Sequence, residues 1–185
     1  MKAVAQDSLL GEVVFDAAQI ANAVERLAAE IKRDYAGEPI MLVGVLKGAI
    51  AFYADLMRAL GEHPLTLDFV VVSSYGSGRE GGKGDVRLLK DLDQKPAGKN
   101  VLLVEDIVDE GLTLDYLLNN LRSREPRSLR ACALMDKPFH RVVPVTIDYI
   151  GLTAPDAFLV GYGLDYQEGF RNLPYICKLK RHPQS

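Results

Sequence analysis

Residues 101–113 have the sequence VLLVEDIVDEGLT, and this stretch decides how the chain can fold. Its branched apolar run, Val101–Val104, is typical of a buried strand. Two adjacent carboxylates, Glu105 and Asp106, follow that run, and a short acidic loop with one glycine, Gly111, comes next. An apolar-periodic segment beginning near Thr113 then predicts a helix. The stretch therefore predicts a strand–loop–helix unit of an α/β fold.

This unit has the chemistry to hold a sugar phosphate. The first N–H groups of a helix are unpaired and lie at the positive end of its dipole, so they can bind a phosphate. Glu105 and Asp106 can accept hydrogen bonds from vicinal hydroxyls of a sugar. The alternative is an ordinary strand–turn–helix whose acidic side chains only solvate the turn.

Composition and charge narrow the classes of protein to which the chain can belong. Its 185 residues are 48% hydrophobic and 25% charged, as expected for a single globular domain spanning residues 1–185. The net charge of -3 disfavours a dedicated nucleic-acid binder, because such proteins usually carry a basic footprint. Residues 1–11 lack the apolar segment of a signal peptide, and no apolar run is long enough to span a bilayer. We therefore expect neither nucleic acid nor a membrane among the partners.

The cysteines and histidines do not form a recognisable metal or disulfide pattern. Cys132 and Cys177 are isolated, so the sequence suggests no disulfide and favours a reducing cytoplasm. His63, His140 and His182 lie far apart and lack metal-ligand spacing, so we do not expect a zinc site.

Apolar periodicity predicts an α/β domain with a mostly parallel sheet flanked by helices. Buried strands alternate with helices, and ligands of such sheets bind beyond the C-terminal strand ends. The C-terminal third has fewer helix signals, and a small hood over the sheet is expected from the C-terminal and N-terminal segments. The predicted helices are one capped by Asp16 and ended by Gly37 and Pro39, then 49–60 and 112–121. The predicted strands are 40–45, 65–72, 86–89, 101–104, 129–135, 149–150, 158–160 and an edge strand, 173–179.

A loop rich in glycine, serine and charge is predicted over residues 73–85. Residues 76–81 satisfy the dinucleotide pattern GxGxxG, but that motif requires a helix at its third glycine. The sequence GKGD that follows cannot begin a stable helix, so a nicotinamide or flavin cofactor is not expected. Loops of this length in a compact domain are usually functional or disordered.

The 105–113 segment resembles the phosphoribosyl-pyrophosphate (PRPP) motif of the type I phosphoribosyltransferases. The resemblance implies that Glu105 and Asp106 contact the ribose and that Asp109 exchanges a proton with purine N7 as general acid/base. Family members commonly carry Thr or Ser where this chain has Glu110, and an ionised carboxylate cannot donate to a phosphate. The 5′-phosphate is expected to bind the loop formed by Glu110, Gly111, Leu112 and Thr113.

A second segment, Val43–Ala49, is similar to the pyrophosphate loop of the hypoxanthine-guanine phosphoribosyltransferases. That family holds a cis peptide bond before the loop lysine, which implies a cis bond between Leu46 and Lys47. Gly48 permits close backbone approach to a diphosphate. Ser74 and Tyr75 resemble the pair in the family's lid, which would keep water from an activated ribosyl cation.

The purine-binding and metal-binding residues are likewise implied by the resemblance. Lys137, in Asp-Lys-Pro, would donate to the 6-oxo group of hypoxanthine or guanine and reject adenine, which carries an amino group there. Phe158 would stack on the purine, and the backbone at Leu159 would contact the edge of the base. Arg171 would reach the pyrophosphate. Mg²⁺ is implied as the cofactor, with metal-binding candidates Glu105, Asp106 and Asp165.

Five motifs occur in family order from about residue 42 to 177, so the chain is identified as a member of the hypoxanthine-guanine phosphoribosyltransferase family. The resemblance implies transfer of 5-phosphoribosyl from PRPP to a 6-oxopurine in the cytoplasm by a homodimer or homotetramer. Two alternatives stay open: a nucleic-acid-binding regulator with the same fold, and an enzyme that prefers xanthine.

Overall fold

The computed structural model describes residues 9–75 and 85–180. This part of the chain forms two sheets and three α-helices. The strands of the larger sheet are β2 (Ile40–Leu46), β3 (Leu65–Tyr75), β4 (Asp85–Lys90), β5 (Asn100–Val108), β6 (Ser128–Asp136) and β7 (Tyr149–Thr153). The strands of the smaller sheet are β1 (Leu10–Phe15), β8 (Leu159–Val160) and β9 (Ile176–Leu179). The helices are α1 (Ala17–Tyr35), α2 (Ile50–Leu60) and α3 (Leu112–Arg122).

The larger sheet is mostly parallel, which confirms the predicted fold class. Its strand order is β4-β3-β2-β5-β6-β7, and only β4 runs antiparallel to its neighbour. Strand β5 lies at the centre between β2 and β6, where Gly44 pairs with Val104 and Glu105 pairs with Ala133. Because these three strands are parallel, their C-terminal ends meet at one edge of the sheet.

Helices cover both faces of the larger sheet. Leu27 of α1 and Leu56 of α2 are fully buried in a cluster with Leu102 of β5. On the other face, Leu117 of α3 packs in a second cluster with Leu103. Neighbouring residues of β5 therefore belong to different layers, as the alternation of side chains along a strand requires. Nearly continuous burial of β5 explains its unbroken apolar run.

The predicted first helix is confirmed at both ends. Asp16 accepts a hydrogen bond from the Gln19 N–H at 2.8 Å, and the Gln19 side chain accepts one from the Asp16 N–H at 2.9 Å. This reciprocal pair is a capping box, which satisfies two N–H groups that the helix leaves unpaired. The helix ends at Tyr35, just before the predicted stop signals.

The smaller sheet forms the predicted hood, but its strand order corrects one prediction. Residues 173–179 were predicted as an edge strand, whereas β9 lies between β1 and β8 in the order β1-β9-β8. Strand β1, which the sequence did not predict, covers the side of β9 that would otherwise be an edge. The apolar core of the smaller sheet contains Val160, Phe170 and Cys177, and Leu10 from the other end of the chain packs against it.

The predicted loop over residues 73–85 begins too early. Strand β3 continues to Tyr75, and its backbone pairs Ser74 with Val86 and Tyr75 with Asp85 of β4. The remaining loop residues, 76–84, lie outside the described residues, as do the side chains of the predicted lid pair, Ser74 and Tyr75. Among the described helices, none combines the length and the apolar character that a membrane crossing demands.

Candidate active site

Three strand ends bring most of the predicted site residues to one edge of the larger sheet. Leu46 ends β2, Val108 ends β5 and Asp136 ends β6. The register pairs Val108 directly with Asp136, and the Lys137 N–H donates to the Val108 carbonyl at 2.9 Å. The segments that follow these three strands are therefore held side by side, at the sheet edge where ligands of α/β folds bind.

The turn after β2 lies directly against the carboxylates of β5. The peptide bond between Leu46 and Lys47 is cis, as the resemblance implied. A Cβ atom added to Gly48 would lie 1.8 Å from Asp106 Oδ2, so only glycine permits this approach. A Cβ added to Gly163, whose φ is +98°, would lie 2.0 Å from the Gly48 carbonyl oxygen. The turn is thus enclosed by β5 on one side and by the C-terminal segment on the other.

Glu105 and Asp106 lie within β5, because the strand continues past the predicted end at residue 104 to Val108. Successive side chains of a strand point to opposite faces, so the two carboxylates leave β5 on opposite sides. Glu105 is 6% exposed. Burial, and then the charge of Asp106, raises the pKa of Glu105 well above its ordinary range.

Asp106 is surrounded by other charged groups of the site. The pKa of Asp106 is raised from an ordinary 3.8 to about 6, chiefly by burial, and the charge of the nearby Asp165 carboxylate acts in the same direction. Its own backbone and that of Ile107, together with the charge of Arg171, act in the opposite direction. A cation can stabilise two carboxylates that lie near each other.

Arg171 is held beside the same carboxylates. Its Nη2 lies 2.8 Å from Asp165 Oδ1, and its Nη1 donates to the Gly163 carbonyl at 2.8 Å. Its Nε is buried and has no hydrogen-bond partner among the described residues. Arg171 is therefore fixed beside Asp165 by its neighbours.

Glu168 pairs with the loop lysine, which the sequence did not predict. Lys47 Nζ lies 3.0 Å from Glu168 Oε2, and both side chains are 65% exposed. The hydrogen bond and charge of Lys47 lower the pKa of Glu168. The Glu168 N–H also donates to Asp165 Oδ2 at 2.9 Å, so the acid sits in a turn next to the predicted metal-binding residue. No local signal could reveal a contact between residues 121 positions apart.

Asp109 and Lys137 form a second charged pair, at the ends of β5 and β6. Lys137 Nζ donates to Asp109 Oδ2 at 3.0 Å, and the Lys137 side chain is 12% exposed. The other oxygen, Asp109 Oδ1, is buried without a hydrogen-bond partner in the part of the chain that the structure describes. The Asp109 side chain as a whole is 40% exposed, so its carboxylate is accessible to a ligand even though this oxygen is covered by the protein.

The predicted phosphate loop leads into α3 as expected. Gly111 precedes the helix with φ +86°, a conformation that favours glycine. The Glu110 side chain is exposed, while its carbonyl accepts hydrogen bonds from the N–H groups of Val142 and Val143. Leu112 and Thr113 form the first turn of α3, whose N–H groups are available to a phosphate.

Two of the predicted purine-binding residues, Phe158 and Leu159, lie at the edge of the hood, whereas the third, Lys137, follows β6. Phe158 is partly exposed and packs edge-to-face on Tyr166, with ring centroids 6.0 Å apart. The backbone of Leu159 pairs with β9. Asp156, which the sequence analysis did not single out, lies 3.9 Å from Lys137 Nζ and 2.8 Å from His140 Nε2. The hood and the strand ends are thereby connected beside Lys137.

Comparisons with known proteins agree with this geometry. A family model described as "Phosphoribosyl transferase domain" matches residues 12–167. The hypoxanthine-guanine phosphoribosyltransferase of Bacillus subtilis is 43% identical over 169 residues, which cover 91% of this chain and 93% of the relative. The enzyme of the same name from Mycobacterium avium is 48% identical, with coverage of 90% and 84%.

A solved structure gives the same result in three dimensions. A hypoxanthine-guanine phosphoribosyltransferase from Bacillus anthracis, with a HEPES molecule in its active site, superimposes with a TM-score of 0.87. The two sequences are 44% identical, and the match covers 92% of this chain and 99% of that one. The chain belongs to the phosphoribosyltransferase family, in its hypoxanthine-guanine branch.

Proposed function

We propose that this protein transfers the 5-phosphoribosyl group from PRPP to hypoxanthine or guanine and releases pyrophosphate, a reaction of purine salvage. The observation that carries the proposal is the pair at the ends of β5 and β6. Lys137 holds one oxygen of Asp109, while the other oxygen is buried and lacks a partner among the described residues. A proton acceptor and a cationic donor therefore stand side by side, as a 6-oxopurine requires for its N7 and O6.

Each bond that breaks in the proposed reaction is matched by a bond that forms. The bond from the anomeric carbon to the diphosphate oxygen breaks, and its electron pair leaves with the diphosphate. Purine N9 supplies the electron pair for the new bond to that carbon. The proton that the purine loses from N7 passes to the carboxylate of Asp109, which is hydrogen-bonded to the cationic Lys137.

Lys137 determines which bases can bind. Its ammonium group has donors and no acceptor, so it matches the 6-oxo group of hypoxanthine and guanine and opposes the 6-amino group of adenine. A site built around such a donor rejects an analogue that cannot accept, because the donor would stay buried and unpaired. Phe158 stacks on the base, and the backbone of Leu159 contacts its edge.

Lys47 and Arg171 bind the leaving pyrophosphate, and Glu105 and Asp106 bind the ribose hydroxyls. Gly48 lets the backbone after β2 approach the diphosphate. The N–H groups of residues 110–113 bind the 5′-phosphate at the beginning of α3. Ser74 and Tyr75 remain proposed lid residues, on their resemblance to the family's Ser-Tyr pair.

The carboxylates of the site have the chemistry that Mg²⁺ requires, although the described residues bring together no group of three or more acids, histidines or cysteines that could hold a metal. Asp165 raises the pKa of Asp106, so the two groups are close enough to repel each other when ionised. Carboxylate oxygens are the ligands that Mg²⁺ prefers, and Asp106 and Asp165 would hold it, with Glu105 as a further candidate. When bound, Mg²⁺ neutralises charge on the departing diphosphate.

Several wider properties are part of the proposal. We propose that residues 1–185 form one domain, because one apolar cluster contains residues from Ile20 to Ile176. The proposal that the protein is a homodimer or homotetramer rests on the family resemblance. The proposal of a cytoplasmic location rests on the two isolated, unpaired cysteines. The names of the relatives do not favour the nucleic-acid-binding regulator or the xanthine-preferring enzyme.

The test is a spectrophotometric assay with PRPP, Mg²⁺ and each of hypoxanthine, guanine, xanthine and adenine. We expect turnover of hypoxanthine or guanine but not of adenine. Lys137→Gln should weaken discrimination against adenine, whereas Lys32→Gln, which removes a lysine that contacts the Ala59 carbonyl on α2, should leave it unchanged. Binding of PRPP without turnover of any base would refute the proposed reaction.

A further inference from the structure

We propose that Arg141 is a positioning residue for this reaction, which fixes Asp109 and Lys137 relative to each other. The inference rests on the proposed function. Arg141 lies in the segment after β6 and is 20% exposed, although it is outside every motif that the sequence analysis identified. Its guanidinium contacts the ends of both strands that carry the proton acceptor and the base-reading lysine.

The contacts of Arg141 use the geometry of its guanidinium. Its Nε donates to the Asp109 carbonyl at 2.8 Å, and its Nη2 donates to the Val108 carbonyl at 3.1 Å. The same Nη2 pairs with the carboxylate of Asp136, the residue before Lys137. A planar, delocalised cation with several fixed donors can hold all three acceptors at once, which the single ammonium of a lysine cannot do.

The backbone after Arg141 completes the attachment. The Val142 and Val143 N–H groups donate to the Glu110 carbonyl at 2.9 and 3.1 Å. A Cβ on Gly111 would lie 2.7 Å from the Val143 carbonyl oxygen and 2.9 Å from Arg141 Cδ. The phosphate loop is therefore packed against residues 141–143, and the absence of a side chain at Gly111 makes this approach possible.

This attachment has a consequence for the direction of the loop N–H groups. In a trans peptide the carbonyl and the following N–H point to opposite sides. The carbonyls of Asp109 and Glu110 are drawn toward residues 141–143. The N–H groups of Glu110 and Gly111 must then point away from that segment, toward the side where the 5′-phosphate is expected. Arg141 thus orients both the proton acceptor and the phosphate-binding donors.

Removing Arg141 should impair the chemical step more than substrate binding. Without the guanidinium, two carbonyls and the Asp136 carboxylate lose their donor, and the side chain of Asp109 shifts relative to Lys137. A displacement of about 1 Å in a catalytic group can lower the rate on the order of 100-fold. We expect kcat of Arg141→Ala to fall by about this factor and KM for hypoxanthine to change by less than roughly 5-fold.

The matched control is Arg124→Ala. Arg124 is 27% exposed and pairs through both terminal nitrogens with Asp91, at 2.8 and 2.9 Å, away from the strand ends that carry the site. Both alanine variants should lose comparable stability in thermal unfolding, but only Arg141→Ala should lose kcat. Millimolar guanidinium chloride should restore part of the activity of Arg141→Ala and leave Arg124→Ala unchanged, which a general loss of stability would not produce.

Arg141→Lys decides the case if the alanine variant does not fold. It keeps the charge near Asp136 but cannot make every contact of the guanidinium, so its kcat should still fall by more than 10-fold. Equal kcat values for wild type and Arg141→Lys, or a loss in the alanine variant that guanidinium does not relieve, would overturn the inference. An inactive wild type that binds PRPP would instead refute the proposed function on which the inference depends.

Discussion

Asp106→Asn is expected to make the free protein more stable while it removes activity. The carboxyl is enclosed by the turn at Gly48, and its Oδ1 accepts the Ile107 N–H at 2.8 Å. Asparagine has nearly the same shape, and its side-chain oxygen can accept that hydrogen bond. The substitution therefore removes the buried charge and leaves the packing nearly intact.

The magnitude follows from the pKa of Asp106 in the folded protein. Burial raises this pKa from 3.8 to about 6, so the folded chain binds the proton more tightly than the unfolded chain does. The contribution of Asp106 to the free energy of unfolding therefore falls as pH rises between those two pKa values, and it is constant above them. The difference in pKa corresponds to about 3 kcal/mol of destabilisation at neutral pH, and roughly half of that remains at pH 5.

The assay is urea unfolding of wild type and variant at pH 5 and pH 7.5, without PRPP or Mg²⁺. We expect the stability advantage of Asp106→Asn to be larger at pH 7.5 than at pH 5. Part of the advantage comes from Glu105, because the charge of Asp106 raises the pKa of Glu105. Turnover of the variant should be low, since a neutral amide binds ribose hydroxyls and a cation less well.

Asp91→Asn provides the control with the opposite sign. The Arg124 guanidinium lowers the pKa of Asp91, so its contribution to stability is present above the ordinary pKa and is lost as pH falls. This substitution should not stabilise the protein at pH 7.5. If Asp106→Asn were no more stable than wild type at pH 7.5, or if its advantage did not grow with pH, burial of an ionised Asp106 would not be costly and the reasoning would fail.

Three further substitutions test individual roles in steady-state kinetics. Asp109→Asn should lower kcat by about 100-fold or more and change KM for PRPP little, because proton transfer is lost; an unchanged kcat would contradict the role. Gly48→Ala should raise KM for PRPP, since its Cβ would lie 1.8 Å from Asp106 Oδ2 and the turn or the carboxylate must move; an unaltered KM would show that the close approach is dispensable. Glu110→Thr should leave KM for PRPP unchanged or lower it, because a hydroxyl can donate to the phosphate. A large increase in KM would show that the Glu110 carboxylate contributes to PRPP binding.

The strands of the larger sheet and the first helix were predictable because their sequence signals are local. The apolar run at Val101–Val104 and the capping residue Asp16 each determine an element through neighbours in sequence. The position of β9 was not predictable, since Leu10–Phe15 reaches it from the other end of the chain. Burial along β1 does not alternate, so periodicity gave no signal for that strand.

The site was predictable to a similar extent. Leu46, Lys47 and Gly48 are neighbours in sequence, and the resemblance implied the cis bond that the structure contains. Glu105 and Asp106 were expected just after a strand, yet β5 continues because its pairing with β6 extends to Val108. Backbone pairing of this kind depends on the partner strand, and no property of the two acids reveals it.

The site residues that sequence reasoning missed, Glu168, Asp156 and Arg141, contact residues of other elements. Four cationic side chains at the sheet edge are proposed to bind a ligand or to position a residue that does. Each of them already contacts an acidic side chain of the protein. These pairs are Lys47–Glu168, Lys137–Asp109, Arg141–Asp136 and Arg171–Asp165. The pairing stabilises the half-buried cations Lys137, Arg141 and Arg171 before substrate arrives, whereas the exposed Lys47–Glu168 pair contributes little. A diphosphate must therefore displace Glu168 and Asp165 from Lys47 and Arg171, the two cations proposed to bind it.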